Sequence, residues 1–399
     1  MNKHFLNYLR PALASVFLAA LAACGGGGGE SSGAGSGTLR LALTDAPACG
    51  FDKVNVTVEK VRVHQSNSAA DADGGWSEVV LNPARRIDLL SLTNGALLEL
   101  GQTPLAAGKY SQLRLVLADN TQANPLANSV LPTGETTEVA LKTPSAQQSG
   151  LKIPVHITVA ANQLAVFVLD FDACKSVDVV TAGKSGNYNL KPQLRLIPRL
   201  VNGVEGFVDL SLVNVNTSVA LQQAGVTLRS TVPDSAGKFL LQPVVPGTYT
   251  LVLTASGRST AVVNSVPVVT NTVSFINTAS APLILATSPT GTLTGIVTTN
   301  TSPIDAIVRA LQTLTDGSKI EIISRPVNSS TGGYSYSLPT AAPQVASYVA
   351  RPGTLTFIPA TGVAGKYTLE ATSGGVVKTS VEQTVSANTT TTVPTFTFP

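Results

Sequence analysis

The chain has 399 residues, of which 12% are charged and 5% aromatic, with a formal net charge of +3. Residues 1–23 contain two of the 26 basic residues, Lys3 and Arg10, and no acid, which leaves 24 basic against 23 acidic residues beyond them. Such a nearly neutral chain gives no electrostatic reason to expect nucleic acid as a partner. Its length suits two or three domains, and its abundant Val, Thr, Ser, Ala and Gly favour strands over helices.

The N-terminus has the pattern of a secretory signal peptide. A basic start, MNKHFLNYLR, precedes a run of 13 apolar residues that is too short to span a bilayer. The run ends in LAAC, Leu21–Cys24, which resembles the lipobox of bacterial lipoproteins. The resemblance implies cleavage after residue 23 and acylation, with palmitate among the chains, of Cys24; the alternative is an ordinary small-residue cleavage site.

The residues after Cys24 predict a tether. Gly25–Gly37 consists almost entirely of Gly and Ser, so it cannot bury apolar surface and would extend about 20 Å as a flexible coil. Gly25 stands where an Asp would be expected in a lipoprotein kept at the inner membrane. The resemblance therefore implies a cell-envelope protein held at the outer membrane through its N-terminal lipid.

Residues 38–200 show one strand pattern after another. Leu151–Val159 alternates apolar and polar residues, as expected for a half-buried antiparallel strand. In Val54–Val63 the apolar phase slips by one residue near Glu59, which predicts a β-bulge. Asp88–Gly101 lacks clean alternation and is expected to hold one short helix.

An internal repeat predicts two related β-modules, 201–285 and 290–399, of which the second has its largest insertion between Ser337 and Val363. The repeated motifs are GFV at Gly206 and GIV at Gly295, GKF at Gly237 and GGY at Gly332, and PGTYTL at Pro246 and AGKYTL at Ala364. In each Gly-x-aromatic motif we expect the glycine to form a turn and the aromatic ring to anchor a core.

These modules resemble carboxypeptidase regulatory-like, transthyretin-type β-sandwiches, although Ala364 replaces the motif proline in the second copy. The matching positions are Val226, Leu228, Asp234, Gly237, Phe239, Pro246, Gly247 and Tyr249. The superfamily also contains starch-binding-like domains, which implies a glycan as one candidate partner.

Residues 38–200 resemble bacterial lipoprotein domains of unknown function that open with L-T-D-A-P. The matching segments are Leu43–Pro47, Val54–His64, Trp76 with Asp88–Leu90, Ala107–Leu115 and Leu169–Ala173. This resemblance implies architecture and compartment, without an activity.

Cys49 and Cys174 are the thiols that remain once Cys24 is acylated, and in an oxidising compartment we expect them to form a disulfide. The bridge would bring Asp45 close to Asp170 and Asp172. The three carboxylates could then bind Ca²⁺. The favoured alternative is that Asp45 caps a turn while the two other aspartates face water.

The remaining chemistry-bearing residues favour structural roles. Asp71–Trp76, DADGGW, lacks the later ligands of a calcium loop and is expected to be a solvated turn. Trp76 is more typical of a core than of a sugar-stacking platform. His64 and His156 have no paired Cys or nearby carboxylate, so they do not indicate zinc. No nucleophile-elbow, phosphate-loop or dinucleotide motif appears in the sequence.

We therefore predict an all-β protein of tandem antiparallel β-sandwich domains, immunoglobulin-like or transthyretin-like, after a lipoprotein signal peptide. The predicted segments are the signal peptide 1–23, the lipidated Cys24 with its tether 24–37, and domains at 38–200, 201–285 and 290–399. We expect no enzyme activity and no cofactor or metal. The expected role is binding, adhesion or structure in the envelope, with an envelope protein or a glycan as partner. The alternatives are a carbohydrate-binding lipoprotein and a Ca²⁺-stabilised adhesin.

Overall fold

The domain that we predicted at residues 38–200, here called domain 1, contains twelve strands in its described residues, in two sheets that enclose the largest hydrophobic core. The computed structural model describes residues 35–46, 50–143, 150–179, 187–191 and 193–399, without the side chains of 46, 174, 178 and 179. The strands are β1 (Ser36–Ala46), β2 (Phe51–His64), β3 (Ser77–Asp88), β4 (Leu98–Ala106), β5 (Gly108–Leu117), β6 (Ser129–Pro132), β7 (Val139–Lys142), β8 (Leu151–Val159), β9 (Leu164–Asp172), β10 (Val177–Val179), β11 (Tyr188–Leu190) and β12 (Leu194–Pro198). The strand order is β12-β9-β1-β4 in the first sheet and β10-β11-β7-β6-β2-β5-β8 in the second, where β3 also pairs with β2.

The local expectations for domain 1 are confirmed. Side chains along β8 alternate strictly between buried and exposed. The register of β2 shifts between Val58 and Lys60 against both β3 and β5, at the expected bulge. The short helix is a 3₁₀ turn, Leu89–Leu92, in which the side chain of Asp88 accepts a hydrogen bond from the backbone N of Leu90.

Domain 2 is a β-sandwich in which the sheet β16-β13-β19 faces the sheet β15-β14-β17-β18 across a second core. A 3₁₀ turn occupies Leu210–Leu212. The strands are β13 (Gly203–Phe207), β14 (Ser218–Gln223), β15 (Val226–Thr231), β16 (Lys238–Leu241), β17 (Gly247–Thr254), β18 (Ala261–Val268) and β19 (Val273–Phe275).

Domain 3 repeats this arrangement around a third core, with β23-β20-β29 facing β22-β21-β26-β27. A 3₁₀ turn occupies Thr361–Val363. The strands are β20 (Thr290–Thr298), β21 (Ile307–Thr313), β22 (Lys319–Pro326), β23 (Gly333–Pro339), β24 (Gln344–Ser347), β25 (Ile358–Pro359), β26 (Lys366–Ser373), β27 (Val376–Thr379), β28 (Gln383–Thr384), β29 (Thr390–Thr392) and β30 (Phe396–Thr397).

The repeated glycines make room for the repeated aromatic rings. Gly206 lies opposite Phe239 in the β13–β16 pair, and a Cβ on that glycine would approach the ring to 2.4 Å. Gly295 lies opposite Tyr334 in the β20–β23 pair, where a Cβ would meet the hydroxyl at 2.3 Å. Any larger residue at either position would push the ring out of its core, because real Cβ atoms do not approach other atoms this closely.

The insertion of domain 3 crosses to domain 2. We call residues 341–360 the arm; it contains the antiparallel pair β24–β25. Strand β24 pairs in parallel with β18, so the domain 2 sheet gains two strands. Tyr348, Leu355 and Phe357 of the arm pack against the domain 2 core. Residues 35–399 accordingly form one compact unit.

The all-β, tandem β-sandwich fold is thus confirmed. Among the described residues the one α-helical segment, which we call α1, is the single turn Ala173–Ser176. No helix in the described part of the chain has the length and apolar character needed to cross a membrane.

Candidate functional site at the junction of the three domains

Charged side chains, which are scarce in this chain, gather where the three domains meet. We call Asp170, Lys175, Arg229, Arg309 and Glu321 the junction cluster. Domain 1 contributes the first two residues from β9 and α1, domain 2 contributes Arg229 from β15, and domain 3 contributes the others from β21 and β22. Each domain contacts both of the others through this cluster.

Arg229 joins domain 2 to domain 1. Its guanidinium pairs with the carboxylate of Asp170 and donates to the hydroxyl of Thr44 at 2.9 Å and to the carbonyl oxygen of Gln242 at 3.0 Å. The side chains of Arg229 and Asp170 are only 4% and 10% exposed. At this burial an ion pair is stable only while both partners are present, because a lone charge would stay without solvent.

Glu321 joins domain 3 to both other domains. One carboxylate oxygen accepts from Nζ of Lys175 at 3.2 Å, and the other lies 3.4 Å from Nη1 of Arg309. The side-chain amide of Gln222, in domain 2, donates to the carbonyl oxygen of Glu321 at 2.7 Å and accepts from its backbone N at 2.8 Å. Arg309 also donates to the carbonyl oxygen of Gly225 at 2.8 Å, so it links domain 3 directly to domain 2.

Two further contacts surround the cluster. The backbone N of Asn94, in domain 1, donates to the hydroxyl of Thr231 in domain 2 at 2.7 Å. Nζ of Lys191 donates to the carbonyl oxygen of Ile304 at 3.2 Å and lies 3.3 Å from Asp305 in domain 3. These contacts involve different segments of domain 1, one with domain 2 and the other with domain 3, so neither interface depends on a single ion pair.

A cavity of about 70 Å³ lies beside the cluster, between domains 1 and 2. It is lined by Asp170, Asp172, Lys175, Gln193, Leu194, Arg195, Thr227, Leu228, Arg229 and Ser230. At roughly 30 Å³ per water in the liquid, this space suits about two water molecules and is far below the several hundred Å³ of a typical ligand pocket. The cavity is therefore too small for a sugar ring.

Asp172 is a titratable group of this cavity whose pKa is perturbed. Desolvation raises its pKa above the ordinary value, and the positive charge of Lys175 partly opposes that rise. Its carboxylate also caps α1 by accepting from the backbone N of Lys175 at 3.1 Å. The aspartate therefore has a structural role at the start of the turn.

The three aspartates considered as Ca²⁺ ligands are bonded to groups of the protein. Asp45 is fully buried and accepts a hydrogen bond from the backbone N of Ala173 at 3.0 Å, so it helps to hold the start of α1 across domain 1. The turn that it was expected to cap, at residues 47–49, lies outside the described residues. Asp170 does not face water, because Arg229 covers it. No group of three or more His, Cys, Asp or Glu side chains that could hold a metal occurs in the described ranges.

The predicted cysteine sites fall largely outside the described residues. Cys24 and Cys49 lie outside them, as does the side chain of Cys174. The backbone nearby is described: β1 and β9 run in parallel, with Ala46 opposite Asp172. Cys49 follows the first strand by three residues and Cys174 follows the second by two, so the disulfide remains a prediction that this register favours.

Trp76 does not belong to the core, contrary to the expectation. Its ring lies over the guanidinium groups of Arg62 and Arg114, 4.6 and 4.7 Å from their Cζ atoms, and 5.0 Å from the ring of His64. The two arginines are direct cross-strand partners on β2 and β5. Asp71 pairs with both, so the DADGGW turn is held by charge pairing.

The surface features expected of a glycan site are weak in the described residues. A wider groove of about 490 Å³, which runs from Ser36 to Leu164, has no aromatic residue in its lining. Phe275 is the one aromatic among the markedly exposed large apolar side chains, and the guanidinium of Arg351 lies over its ring at 5.2 Å. Stacking platforms around a shared groove are thus not found in this part of the protein.

Sequence reasoning missed the junction cluster. Arg229 and Glu321 each occupy a strand that otherwise reads as half-buried, and their partners are 59 and 146 residues away. Leu228 precedes Arg229, and Ile320 and Ile322 flank Glu321, so strand alternation predicts that both charged residues are exposed. The sequence therefore gives no local signal of their burial.

Comparisons with known proteins give one match to a family model, within domain 1, and several matches to solved structures. No curated protein matches the chain. Among the 18 matching chains of solved structures are a mutant type II cohesin–X-dockerin complex from Acetivibrio cellulolyticus (23% identity, TM-score 0.18) and the Bacillus anthracis TIE protein (12%, 0.18). Their alignments cover 22% and 91% of this chain, and this chain spans only 58% and 51% of theirs. The major pilin subunit BcpA of Bacillus cereus aligns over 91% of this chain and 99% of its own, with 12% identity and a TM-score of 0.15.

With TM-scores this low, neither the function nor the partner of these structures can be assigned to this chain. Residues 36–192, which span less than half of the chain, match the model of the family described as Domain of unknown function (DUF4382).

Proposed function

We propose that this protein is a non-enzymatic, lipid-anchored module of the bacterial outer membrane that holds a rigid three-domain body in the envelope for adhesion or structural support. The junction cluster is the observation that carries the proposal. Ion pairs and hydrogen bonds connect every pair of domains, so the body can transmit force or hold a fixed spacing. If the domains moved independently, the paired charges between them would separate, so these buried pairs favour one fixed arrangement of the domains.

The anchor rests on the N-terminal sequence. The lipobox-like LAAC and the Gly/Ser stretch after it would place the body beyond the headgroups, on a tether that leaves it free to turn. Three acyl chains would hold far more firmly than the single chain that gives only marginal binding. The predicted Cys49–Cys174 bridge would fix the end of β1 to α1 in an oxidising compartment.

Fractionation of cells tests the anchor. The wild-type protein should sediment with outer membranes, and Cys24→Ala should move it to the soluble fraction. Cys174→Ser is the matched control, since it removes a thiol without touching the lipobox and should leave the protein in the membrane. Retention of Cys24→Ala in the membrane would refute the anchor.

Small-angle X-ray scattering on the released Cys24→Ala protein tests rigidity. The wild-type junction should give a curve that one conformation explains. Adding Glu321→Ala should increase the radius of gyration, because it removes the carboxylate through which Lys175 of domain 1 contacts domain 3, and leaves Arg309 paired only with Glu370 of its own domain. Glu138→Ala, whose ion pair with Arg86 lies within domain 1, is the control and should leave the radius unchanged. A wild-type curve that requires independently moving domains would contradict the proposal.

A further inference from the structure

Domains 2 and 3 contain equivalent strands at one edge of a sheet, and the outer edges of these strands differ. In domain 2, β18 pairs with β17, and in domain 3, β27 and β28 pair with β26 in the same way. Tyr249 and Tyr367 mark the same position in β17 and β26, since both follow the repeated glycine of their motif. Strand β18 therefore corresponds to the segment Val376–Thr384.

The outer edge of β18 is occupied. Strand β24 of the arm pairs with it in parallel from Ala261 to Asn264. Two flanking bonds extend the ladder, from the backbone N of Gln344 to the carbonyl oxygen of Thr260 and from the N of Tyr348 to that of Asn264, both at 2.8 Å. Under this cover the valines of β18 are fully or almost fully buried.

The corresponding edge in domain 3 is open. No described strand pairs with the outer side of Val376–Val381, which we call the acceptor edge. All four residues of β27 are exposed, with Val377 at 54%, and Val381, two residues after the strand, reaches 76%. Three exposed valines within six residues are unusual for an edge strand, since exposed edges are normally protected by charge, proline or a covering segment.

The charge on this edge does not protect it fully. Lys378 is its one charged residue, and Nζ of that lysine lies 5.4 Å from the centroid of the Phe398 ring of the same domain. The cation is thus turned toward its own domain and does not project along the free backbone groups. Along β27 an incoming strand would meet backbone N–H and C=O groups that no described strand pairs with, flanked by valine side chains. Beyond the strand, the carbonyl oxygen of Val381 already accepts from Nε2 of Gln383 at 3.0 Å.

From this internal comparison we infer that the acceptor edge binds an extended, uncharged segment of another polypeptide, which adds to β27 as a parallel strand in the way that β24 adds to β18. The segment that fills the equivalent edge, Gln344–Ser347, has the sequence QVAS and is followed by the anchoring Tyr348. The partner segment should share this chemistry: small apolar residues alternating with uncharged polar ones, and one aromatic anchor at its end. The inference does not depend on the lipid anchor.

A synthetic peptide of the arm sequence AAPQVASYV, residues 341–349, is the probe, and the full chain carrying Cys24→Ala is the target. We expect saturable one-to-one binding by titration calorimetry, with slower hydrogen exchange in Val376–Val381. The double variant Val377→Lys/Val381→Lys should weaken binding at least tenfold. The charge-matched control Val80→Lys/Val269→Lys alters two other exposed valines, and its affinity should stay within twofold of the starting protein.

Three outcomes would overturn the inference: no binding at millimolar peptide, equal binding of a scrambled peptide, or binding that the acceptor-edge variant leaves unchanged. In the last case hydrogen exchange would show protection at Ala261–Asn264, meaning that the peptide replaces the arm on domain 2. Self-association of the chain that the acceptor-edge variant abolishes, without any peptide binding, would also overturn it in favour of pairing between two copies. The altered valines are exposed, and melting temperatures should confirm that each variant remains folded.

Discussion

Replacing Arg229 with methionine should destabilise the protein strongly. The change keeps most of the side-chain volume but leaves Asp170 as a buried carboxylate without its cation, and it removes two donors, to Thr44 and to Gln242. Breaking one half of a buried ion pair costs about 3–5 kcal/mol. Since domains are typically stable by about 5–15 kcal/mol, the loss would be a large part of the total.

Urea unfolding followed by far-UV circular dichroism and by the fluorescence of Trp76, the single tryptophan, measures this loss. The control is Arg199→Met, because Arg199 and its partner Glu99 are 38% and 48% exposed. That exposed pair should contribute no more than about 1 kcal/mol. Both signals should follow one transition in the wild-type protein.

A double variant separates the ion pair from the volume of its side chains. Arg229→Met combined with Asp170→Leu should be more stable than Arg229→Met alone, because an apolar pair of similar size carries no unpaired charge. A loss below about 1 kcal/mol for the single change, or costs that simply add in the double variant, would refute the assignment of Arg229 as a buried link between domains.

Three further predictions concern packing, pH and redox state. Gly295→Ala should destabilise domain 3 by about 1–3 kcal/mol, since its Cβ would strike the tyrosine hydroxyl opposite, whereas Gly74→Ala, with no atom within 4 Å, should change the melting temperature little. Burial raises the pKa of Asp172, so ionisation of this carboxyl opposes folding. The free energy of unfolding of the wild type should therefore fall relative to that of Asp172→Asn as the pH rises from about 4 to 7. A difference between the two proteins that does not depend on pH would contradict this. In thiol labelling of the unfolded mature protein, neither Cys49 nor Cys174 should react before reduction, and a labelled cysteine would disprove the bridge.

The features that could be predicted from sequence depend on neighbouring residues. The alternation of β8 and the bulge of β2 are encoded within about ten residues each, so strand periodicity reveals them. The Gly-x-aromatic motifs were found because the repeat shows each one twice, and Gly237 and Gly332 do take a positive φ while Phe239 and Tyr334 lie in the cores. Here local pattern and tertiary structure agree. That Gly206 and Gly295 lie opposite these rings was not predicted.

The features that sequence could not predict depend on distant partners. The insertion in domain 3 was recognised as an insertion, but its destination, the edge of β18, lies some eighty residues earlier in the chain. Asp170 was expected to face water because strand alternation allows it, and only the docking of domain 2 brings Arg229 over it. Trp76 was expected in the core, but its ring packs on the guanidinium groups of Arg62 and Arg114, which lie on adjacent strands.

The arm and the junction cluster restrain the body in different ways. A strand addition such as β24 on β18 is held by backbone hydrogen bonds, which by themselves are the same at every register, so its register depends on side chains such as the anchoring Tyr348. Buried ion pairs contribute little net stability, but a displaced charge is costly, so Lys175, Glu321 and Arg309 penalise any shifted arrangement. Backbone pairing therefore supplies cohesion between domains 2 and 3, and the buried charges select one orientation among those that pairing alone would allow.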